Sequence, residues 1–212
     1  MILAFLRPFP FARPPRVGFR SQSSFIIREP PSSAPRIVPT PLIFVSATSW
    51  DKTSSRQGFS VLAQMYAEKG YTCLDTDLSL PVGVDKISAL DMMQHFESEL
   101  STIVKTSSNP FPPILFARNA TCLITQTYIS SHPASGLVLI SPPSSNHAHG
   151  LPEFNYEPQF PIVVVDTPRG MERLQAENRL VKENRVHRIV VDDVEGQEAF
   201  VRMEEWMDEI GI

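Results

Sequence analysis

The segment that decides the fold is ILFARNATCLITQTYISSHPASGLVLISPP, which covers residues 114–143. It begins with an apolar strand at 114–117 and ends with another at 136–140, and a helical pattern lies between them. Asn119 falls in the turn between the first strand and the helix. Asparagine adopts left-handed backbone more readily than most residues other than glycine, so the sequence predicts a sharp turn here.

Short apolar strands alternate with amphipathic helices along the rest of the chain. We predict six strands, at 42–46, 71–75, 114–117, 136–140, 161–166 and 187–192, and one of the helices is predicted to run unbroken over 171–184. Strands that are apolar throughout are covered on both faces. The sequence therefore predicts an α/β fold, a three-layer sandwich of about six mostly parallel strands with helices on both faces.

Composition excludes several classes of function. The chain has 212 residues and a formal net charge of −4, which argues against nucleic acid as a partner. It has no run of about 18 apolar residues, so no transmembrane segment is predicted. Cys73 and Cys122 lie in apolar stretches without the spacing of zinc ligands, and we expect buried free thiols. The chain has 9 glycines and no phosphate-binding glycine motif, so no cofactor is predicted.

The first 28 residues differ in composition from the rest of the chain. They contain no acidic residue, and their arginines are Arg7, Arg13, Arg16, Arg20 and Arg28. This composition is typical of a mitochondrial presequence, and a basic tail without targeting function is the alternative. Prolines and serines over 29–40 predict an extended linker. We therefore expect a presequence at 1–28, a linker at 29–40, a domain at 41–212 that folds after removal of the first 20 to 35 residues, and a location in the mitochondrial matrix.

The predicted domain resembles the α/β-hydrolase superfamily over residues 41–210. PLIFVSATSW (41–50) is similar to the family's third strand and the loop after it, and residues 114–143 are similar to its elbow strand, elbow helix and sixth strand. FPIVVVD (160–166) is similar to the strand before the catalytic acid, and HRIVVDDVEG (187–196) is similar to the last strand and the histidine loop. The resemblance implies a small member without the first two strands of larger members, and the residues after the sixth strand leave no room for a helical lid.

The family's nucleophile lies in a strained turn with the motif G-x-S-x-G, the nucleophile elbow. This motif corresponds to Ala-Arg-Asn-Ala-Thr at 117–121. Ala117 and Thr121 are small enough for the tight turn, and Asn119 occupies the position of the nucleophile. A carboxamide is a poor nucleophile and has no hydroxyl or thiol proton for a base to remove. We therefore predict that the turn is retained and that the nucleophile is lost.

The other catalytic positions of the family also carry different residues here. The loop of the acid offers Asp166 and Glu172, and the segment that holds the family's histidine, 192–196, contains none. The oxyanion segment of the family, usually His-Gly, is Ser46–Ala47. The resemblance thus implies a degenerate triad. The candidate residues of a ligand pocket are Ser46, Ala47, Asn119, Ala120 and Ser141.

Two histidines are candidates for a replacement base. His147 and His149 follow the sixth family strand, where a loop can overhang the pocket. As an H-x-H pair they are also potential metal ligands, but without a third ligand a solvated loop is favoured, so no metal is predicted. Thr121 and Cys122 carry nucleophilic groups, but they fall on the first turn of the elbow helix, where we predict structural roles.

Two functions are consistent with this pattern. The first is a non-catalytic mitochondrial protein that binds an unidentified small molecule or protein, and the combined loss of nucleophile, acid and base favours it. The alternative is a serine-independent hydrolase or lyase that acts on a small ester or acyl substrate, because some members of the superfamily act without the usual serine. The sequence predicts no oligomeric state.

Overall fold

The computed structural model describes residues 23–51, 55–81, 87–107, 109–157 and 159–212. Its strands are β1 (Ser24–Arg28), β2 (Val38–Ser46), β3 (Tyr71–Asp77), β4 (Ile114–Arg118), β5 (Gly136–Ile140), β6 (Ile162–Asp166) and β7 (His187–Val190). Its helices are α1 (Phe59–Glu68), α2 (Ala89–Thr106), α3 (Thr121–Ile129), α4 (Pro168–Glu177), α5 (Arg179–Lys182) and α6 (Gln197–Glu209), with a short 3-10 helix at Asn146–His149. Among the described residues, none of the helices has the length and apolar character needed to cross a membrane.

The described strands form one sheet in the order β1-β3-β2-β4-β5-β6-β7. Every neighbouring pair is parallel except β1 and β3, which are antiparallel. The predicted α/β class and the mostly parallel sheet are confirmed, and the six predicted strands are all present. The seventh strand, β1, was not predicted.

Strand β1 lies within the segment to which the sequence analysis assigned the presequence. Residues 1–22 of that segment lie outside the described residues, whereas Ser23 Oγ accepts a hydrogen bond from the Ser79 amide (2.9 Å). The guanidinium of Arg28 lies 3.6 Å from the buried carboxylate of Asp75. The sequence SFIIR has the apolar character of a strand, but the arginine-rich composition around it masked this signal. Strand β2 also starts inside the predicted linker, at Val38, so the folded unit begins earlier than predicted.

Each face of the sheet carries its own apolar core. Ile43, Val45 and their counterparts on neighbouring strands pack against α2, α3, α4 and α5. Leu42, Phe44 and the corresponding residues of the neighbouring strands pack against α1 and α6 on the other face. Successive side chains of a strand point to opposite faces, so the central strands β4, β5 and β6 are apolar at nearly every position. The predicted three layers are therefore present.

The helix predicted over 171–184 is divided in two. Helix α4 ends at Glu177, and α5 starts at Arg179. Between them Asn178 has extended backbone, and its side chain accepts hydrogen bonds from the amides of Leu180 and Val181. Asparagine is a strong N-cap residue, and here its cap starts a new helix and overrides the continuous helical pattern.

Candidate functional site

The turn that contains Asn119 has the geometry expected of a nucleophile elbow. Asn119 lies between the end of β4 and the start of α3, and its φ angle of 52° is in the left-handed region. Its backbone amide donates to the carbonyl of Ile140 (3.0 Å). Ala120 is the N-cap residue of α3. The prediction of a sharp left-handed turn at Asn119 is confirmed.

The side chain of Thr121 stabilises this turn through hydrogen bonds. Its buried hydroxyl accepts a hydrogen bond from the Arg118 amide (3.2 Å) and lies 2.7 Å from the Arg118 carbonyl and 3.2 Å from the Val45 carbonyl. The next residue, Cys122, is buried as well, and burial raises the pKa of its thiol well above the ordinary value. Both side chains therefore face the interior of the fold, in agreement with the structural roles predicted for them.

Asn119, Ser141 and Asp166 follow one another along the carboxyl edge of the sheet. Arg118 pairs with Ile140 in the β4–β5 ladder, and Ile140 pairs with Val165 in the β5–β6 ladder. Asn119, Ser141 and Asp166 are the next residues on these three strands. The carboxyl edge of a parallel sheet is the usual place for ligands in α/β proteins.

Ser141 and Asp166 form a hydrogen-bonded pair at this edge. Ser141 has a φ angle of 47°, and its hydroxyl donates to Oδ1 of Asp166 (3.2 Å). The amide of Thr167 donates to the same oxygen (2.8 Å). Asp166 is 4% exposed, and its second carboxylate oxygen is buried without a hydrogen-bond partner among the described residues. One of the two acids suggested by the sequence is thus buried and oriented at the end of β6.

The two residues of the oxyanion segment are buried. The hydroxyl of Ser46 donates to the carbonyl of Thr76 on the neighbouring strand (2.6 Å). The amide of Ala47 donates to the hydroxyl of Ser55 (3.4 Å). Ser46 and Ala47 are both completely inaccessible to solvent. Their polar groups therefore bond to the protein itself, and the structure does not present them to an open pocket.

The loop after β7 carries an acid that reaches the elbow. Glu195 Oε1 lies 2.5 Å from Nη1 of Arg118, the residue immediately before Asn119. Gln57 Nε2 donates to Glu195 Oε2 (3.1 Å), and Arg118 Nη1 also donates to the Gln57 carbonyl (3.2 Å). We call Gln57, Arg118 and Glu195 the Arg118 cluster. It joins the loop after β2, the elbow strand and the loop after β7.

A cavity of about 220 Å³ adjoins the Arg118 cluster. All three residues of the cluster contribute to its lining. The remaining walls come mainly from the N-terminal parts of α1 and α6 and are mostly apolar, as with Phe59 and Phe200. The sequence analysis predicted neither the cluster nor the cavity. The one signal in the sequence was the charged residue Arg118 inside the elbow motif. Its carboxylate partner, Glu195, is distant in sequence, so the pairing could not be read from the local pattern.

The two candidate histidines lie against different neighbours. His147 is exposed and lines a surface hollow together with Arg179 and Lys182. The ring of His149 lies 6.4 Å from the ring of Trp50, in the loop after β2. In the described part of the chain, no three His, Cys, Asp or Glu side chains come together as metal ligands do.

Solved structures of esterases have the same fold. A structure from work on the carboxylesterases of the thaumarchaeon Nitrososphaera gargenis aligns with a TM-score of 0.61 at 8% identity, over 89% of this chain and 94% of that chain. Esterase 2 of Thermogutta terrifontis aligns at 0.60 and 13% identity, over 89% and 90%. A lidless serine hydrolase of Xanthomonas campestris aligns at 0.56 and 11% identity, over 91% and 95%.

Sequence comparison gives no further assignment, because no protein-family model and no curated protein sequence matches the chain. Between β5 and β6 the described residues form a short 3-10 helix and extended segments, without a helical lid. The seven-stranded order, the left-handed turn after β4 and the alignment with lidless and other esterases agree with one another. The chain has the α/β-hydrolase fold in a small form, and no helical lid is present among its described residues.

Proposed function

We propose that this protein is a non-catalytic binding protein built on the α/β-hydrolase fold. The observation that carries the proposal is Asn119, which has the backbone of a nucleophile elbow and the side chain of an amide. An amide offers no hydroxyl or thiol for covalent catalysis. The elbow strand and helix are thus retained as a scaffold, and the group that defines the serine hydrolases is missing.

The Arg118 cluster supports the same proposal. In a serine hydrolase the loop after the last strand delivers a histidine to the nucleophile. Here that loop delivers Glu195, which forms an ion pair with Arg118. The carboxylate of Glu195 is thus engaged by Arg118 and Gln57. A partner of such a site, either a small molecule or a protein, is bound without being cleaved.

A second candidate function is a hydrolase or lyase of the same fold that acts through a rearranged site without a serine at the elbow, and the Ser141–Asp166 pair favours it. Ser141 has left-handed backbone, as a nucleophile does, and donates to a buried carboxylate. The fold neighbours of this chain are described as esterases and hydrolases. In such an enzyme Ser141 would be the nucleophile and Asp166 its base, since no histidine is bonded to either in the described residues.

A fluorophosphonate probe separates the two functions. The probe labels activated serines, so a binding protein stays unlabelled after treatment in the native state. An active serine esterase serves as the positive control, and Ser141→Ala serves as the matched variant. Native labelling at Ser141 that disappears in Ser141→Ala would establish the enzyme and overturn the binding proposal. Hydrolysis of p-nitrophenyl esters is measured in parallel and should remain at the background rate.

Location in the mitochondrial matrix is part of the proposal. It is supported by the arginines of the first 28 residues and by their lack of acidic side chains. Strand β1 starts at Ser24, so a presequence that leaves the sheet intact has to end before this strand. The test compares full-length protein with a C-terminal tag to the same protein without residues 1–22. A full-length protein that stays in the cytosol would refute the location.

A further inference from the structure

The cavity next to the Arg118 cluster has an apolar body. Phe59, Leu62 and Met65 line it from α1, and Phe200 lines it from α6. Ile140, at the end of β5, belongs to the same lining. Its volume is about 220 Å³. A short hydrocarbon chain fits this volume and this lining, because apolar walls favour apolar atoms over water.

At the polar end of the cavity, a carboxylate of the chain itself, that of Glu195, occupies a site formed by Arg118 and Gln57. The carboxylate of Glu195 receives one hydrogen-bonding contact from Arg118 (2.5 Å) and one from Gln57 (3.1 Å). Arginine presents donors in a planar fork that matches a carboxylate. The chain itself therefore shows which chemical group this end of the cavity accepts.

The two charges of this ion pair differ in their exposure. The side chain of Arg118 is 14% exposed, whereas that of Glu195 is 33% exposed and belongs to the short loop between β7 and α6. The guanidinium of Arg118 is the less exposed of the two charges, while Glu195 lies on a loop from which it can turn outward into solvent. A carboxylate that is already partly exposed loses little when it returns to water. Glu195 is thus the exchangeable partner and Arg118 the fixed one.

We infer that the cavity binds a short-chain monocarboxylic acid, whose carboxylate replaces Glu195 on Arg118 and whose hydrocarbon chain lies between α1 and α6. This inference rests on the proposed binding function and names the ligand class. Replacement of one carboxylate by another keeps the partly buried guanidinium paired, so this charge is not left without a partner. A neutral amide of the same length lacks the negative charge that Arg118 selects.

Methyl NMR of methionine reports on this cavity directly. Hexanoate is titrated into full-length protein labelled with carbon-13 at the methionine methyl groups, and the Met65 resonance is assigned with Met65→Leu. We expect saturable movement of the Met65 signal, while the signal of Met203, on the buried face of α6 and outside the cavity lining, stays unchanged. Hexanamide should bind about tenfold more weakly or not at all, since it forfeits a charge-assisted contact.

Substitutions at the two charges should act in opposite directions. Arg118→Gln should weaken hexanoate binding about tenfold or more, and Arg118→Lys should weaken it less, because the charge is kept without the fork. Glu195→Gln should tighten binding several-fold, about three- to tenfold, because the competing carboxylate is gone. Arg202→Gln and Glu205→Gln are the matched controls, since this surface pair on α6 does not line the cavity.

The outcomes separate this inference from the proposed function. Absence of any Met65 shift, equal affinity for hexanamide, or weaker binding in Glu195→Gln would overturn the carboxylate site and leave the non-catalytic proposal standing. Hydrolysis of p-nitrophenyl hexanoate by the same sample would overturn the non-catalytic proposal, and the Met65 titration would still decide whether the cavity binds the acid. Saturable binding with opposite effects of Arg118→Gln and Glu195→Gln supports the inference.

Discussion

Gly170 packs directly against the carboxylate of Asp166. A Cβ atom at residue 170 would overlap both carboxylate oxygens, although Gly170 itself lies in the first turn of α4 with ordinary helical backbone. Thr167 caps this turn by accepting a hydrogen bond from the Gly170 amide (3.2 Å). Glycine at this position therefore makes room for the buried acid at the carboxyl edge of the sheet.

We expect Gly170→Ala to destabilise the protein by about 1–3 kcal/mol, because the new methyl group overpacks the Asp166 carboxylate. In an unobstructed helix the same change would stabilise by up to about 1 kcal/mol. The free energy of unfolding in urea measures the effect. In the Asp166→Ala background the obstruction is gone, and Gly170→Ala should then be neutral or stabilising. A stabilising effect of Gly170→Ala in the wild type would show that the carboxylate is not fixed at this place.

Strand β1 limits how much of the N-terminus can be removed. The sequence alone predicted a domain that tolerates loss of its first 20 to 35 residues, but Arg28 pairs with the buried Asp75 and donates to Ser60 (2.8 Å). A protein without residues 1–22 should keep the stability of the full chain. Removal of residues 1–28 should cost about 3 kcal/mol or more, because a buried charge loses one of its partners along with the strand.

Thermal unfolding of the two truncated proteins checks this prediction. Arg28→Gln in the shorter truncation separates the ion pair from the strand, since it removes the charge and keeps β1. Its loss of stability should be smaller than that caused by removing β1 entirely. If the protein without residues 1–28 unfolds at the same temperature as the full chain, β1 contributes nothing to the stability of the domain.

The stability of the protein should depend on pH through Asp75. Burial raises the pKa of this carboxyl above its ordinary value, and the guanidinium groups of Arg56 and Arg28 oppose the shift. The folded state thus keeps the proton at pH values where the unfolded chain has lost it. Stability of the wild type relative to Asp75→Asn should therefore fall as pH rises from about 4 toward the raised pKa.

Urea unfolding of both proteins from about pH 4 to about pH 7 measures this difference. Asp77→Asn, introduced into both the wild type and Asp75→Asn, serves as a control, because Asp77 also raises the pKa of Asp75. Without this second carboxylate the fall should be smaller. If the stability of the wild type relative to Asp75→Asn rose with pH, the two arginines would affect the pKa of Asp75 more than burial does.

Local pattern was sufficient to predict most of the fold. Strands β2, β4, β5 and β6 contain runs of consecutive buried apolar residues, and this pattern follows directly from burial on both faces. Strand β1 was missed because it is an exposed edge strand, whose five residues include an arginine. The break at Asn178 was missed because capping by one side chain decides it, while the helical pattern on both sides is continuous.

The candidate site was predictable only where neighbours in sequence determine it. The turn at Asn119 depends on the residues beside it, and the sequence indicated its left-handed backbone. The pairing of Gln57 with Glu195 joins residues 138 positions apart. Such a contact depends on strand order and on the direction of loops, which no local pattern encodes. The same holds for the hydroxyl of Ser46, which the structure turns toward Thr76.

The last prediction concerns Asn119→Ser, which restores a hydroxyl at the elbow. In a triad the serine is activated by a histidine, and loss of one member already removes most of the rate. The loop after β7 supplies Glu195 to Arg118 and no histidine. We therefore expect no hydrolysis of short p-nitrophenyl esters above background for the wild type or for Asn119→Ser, and no burst of p-nitrophenol.

Asn184→Ser is the matched control, because Asn184 also has left-handed backbone, with a φ angle of 55°, and lies far along the chain from the elbow. The two variants should show equal reactivity, that of an ordinary serine. Turnover by Asn119→Ser above that of Asn184→Ser would mean that a base reaches the elbow after all. His149, which contacts Trp50 in the loop after β2, is the residue to test, with His147→Ala as its control. If His149→Ala then abolished the turnover, the enzymatic alternative would replace the binding function.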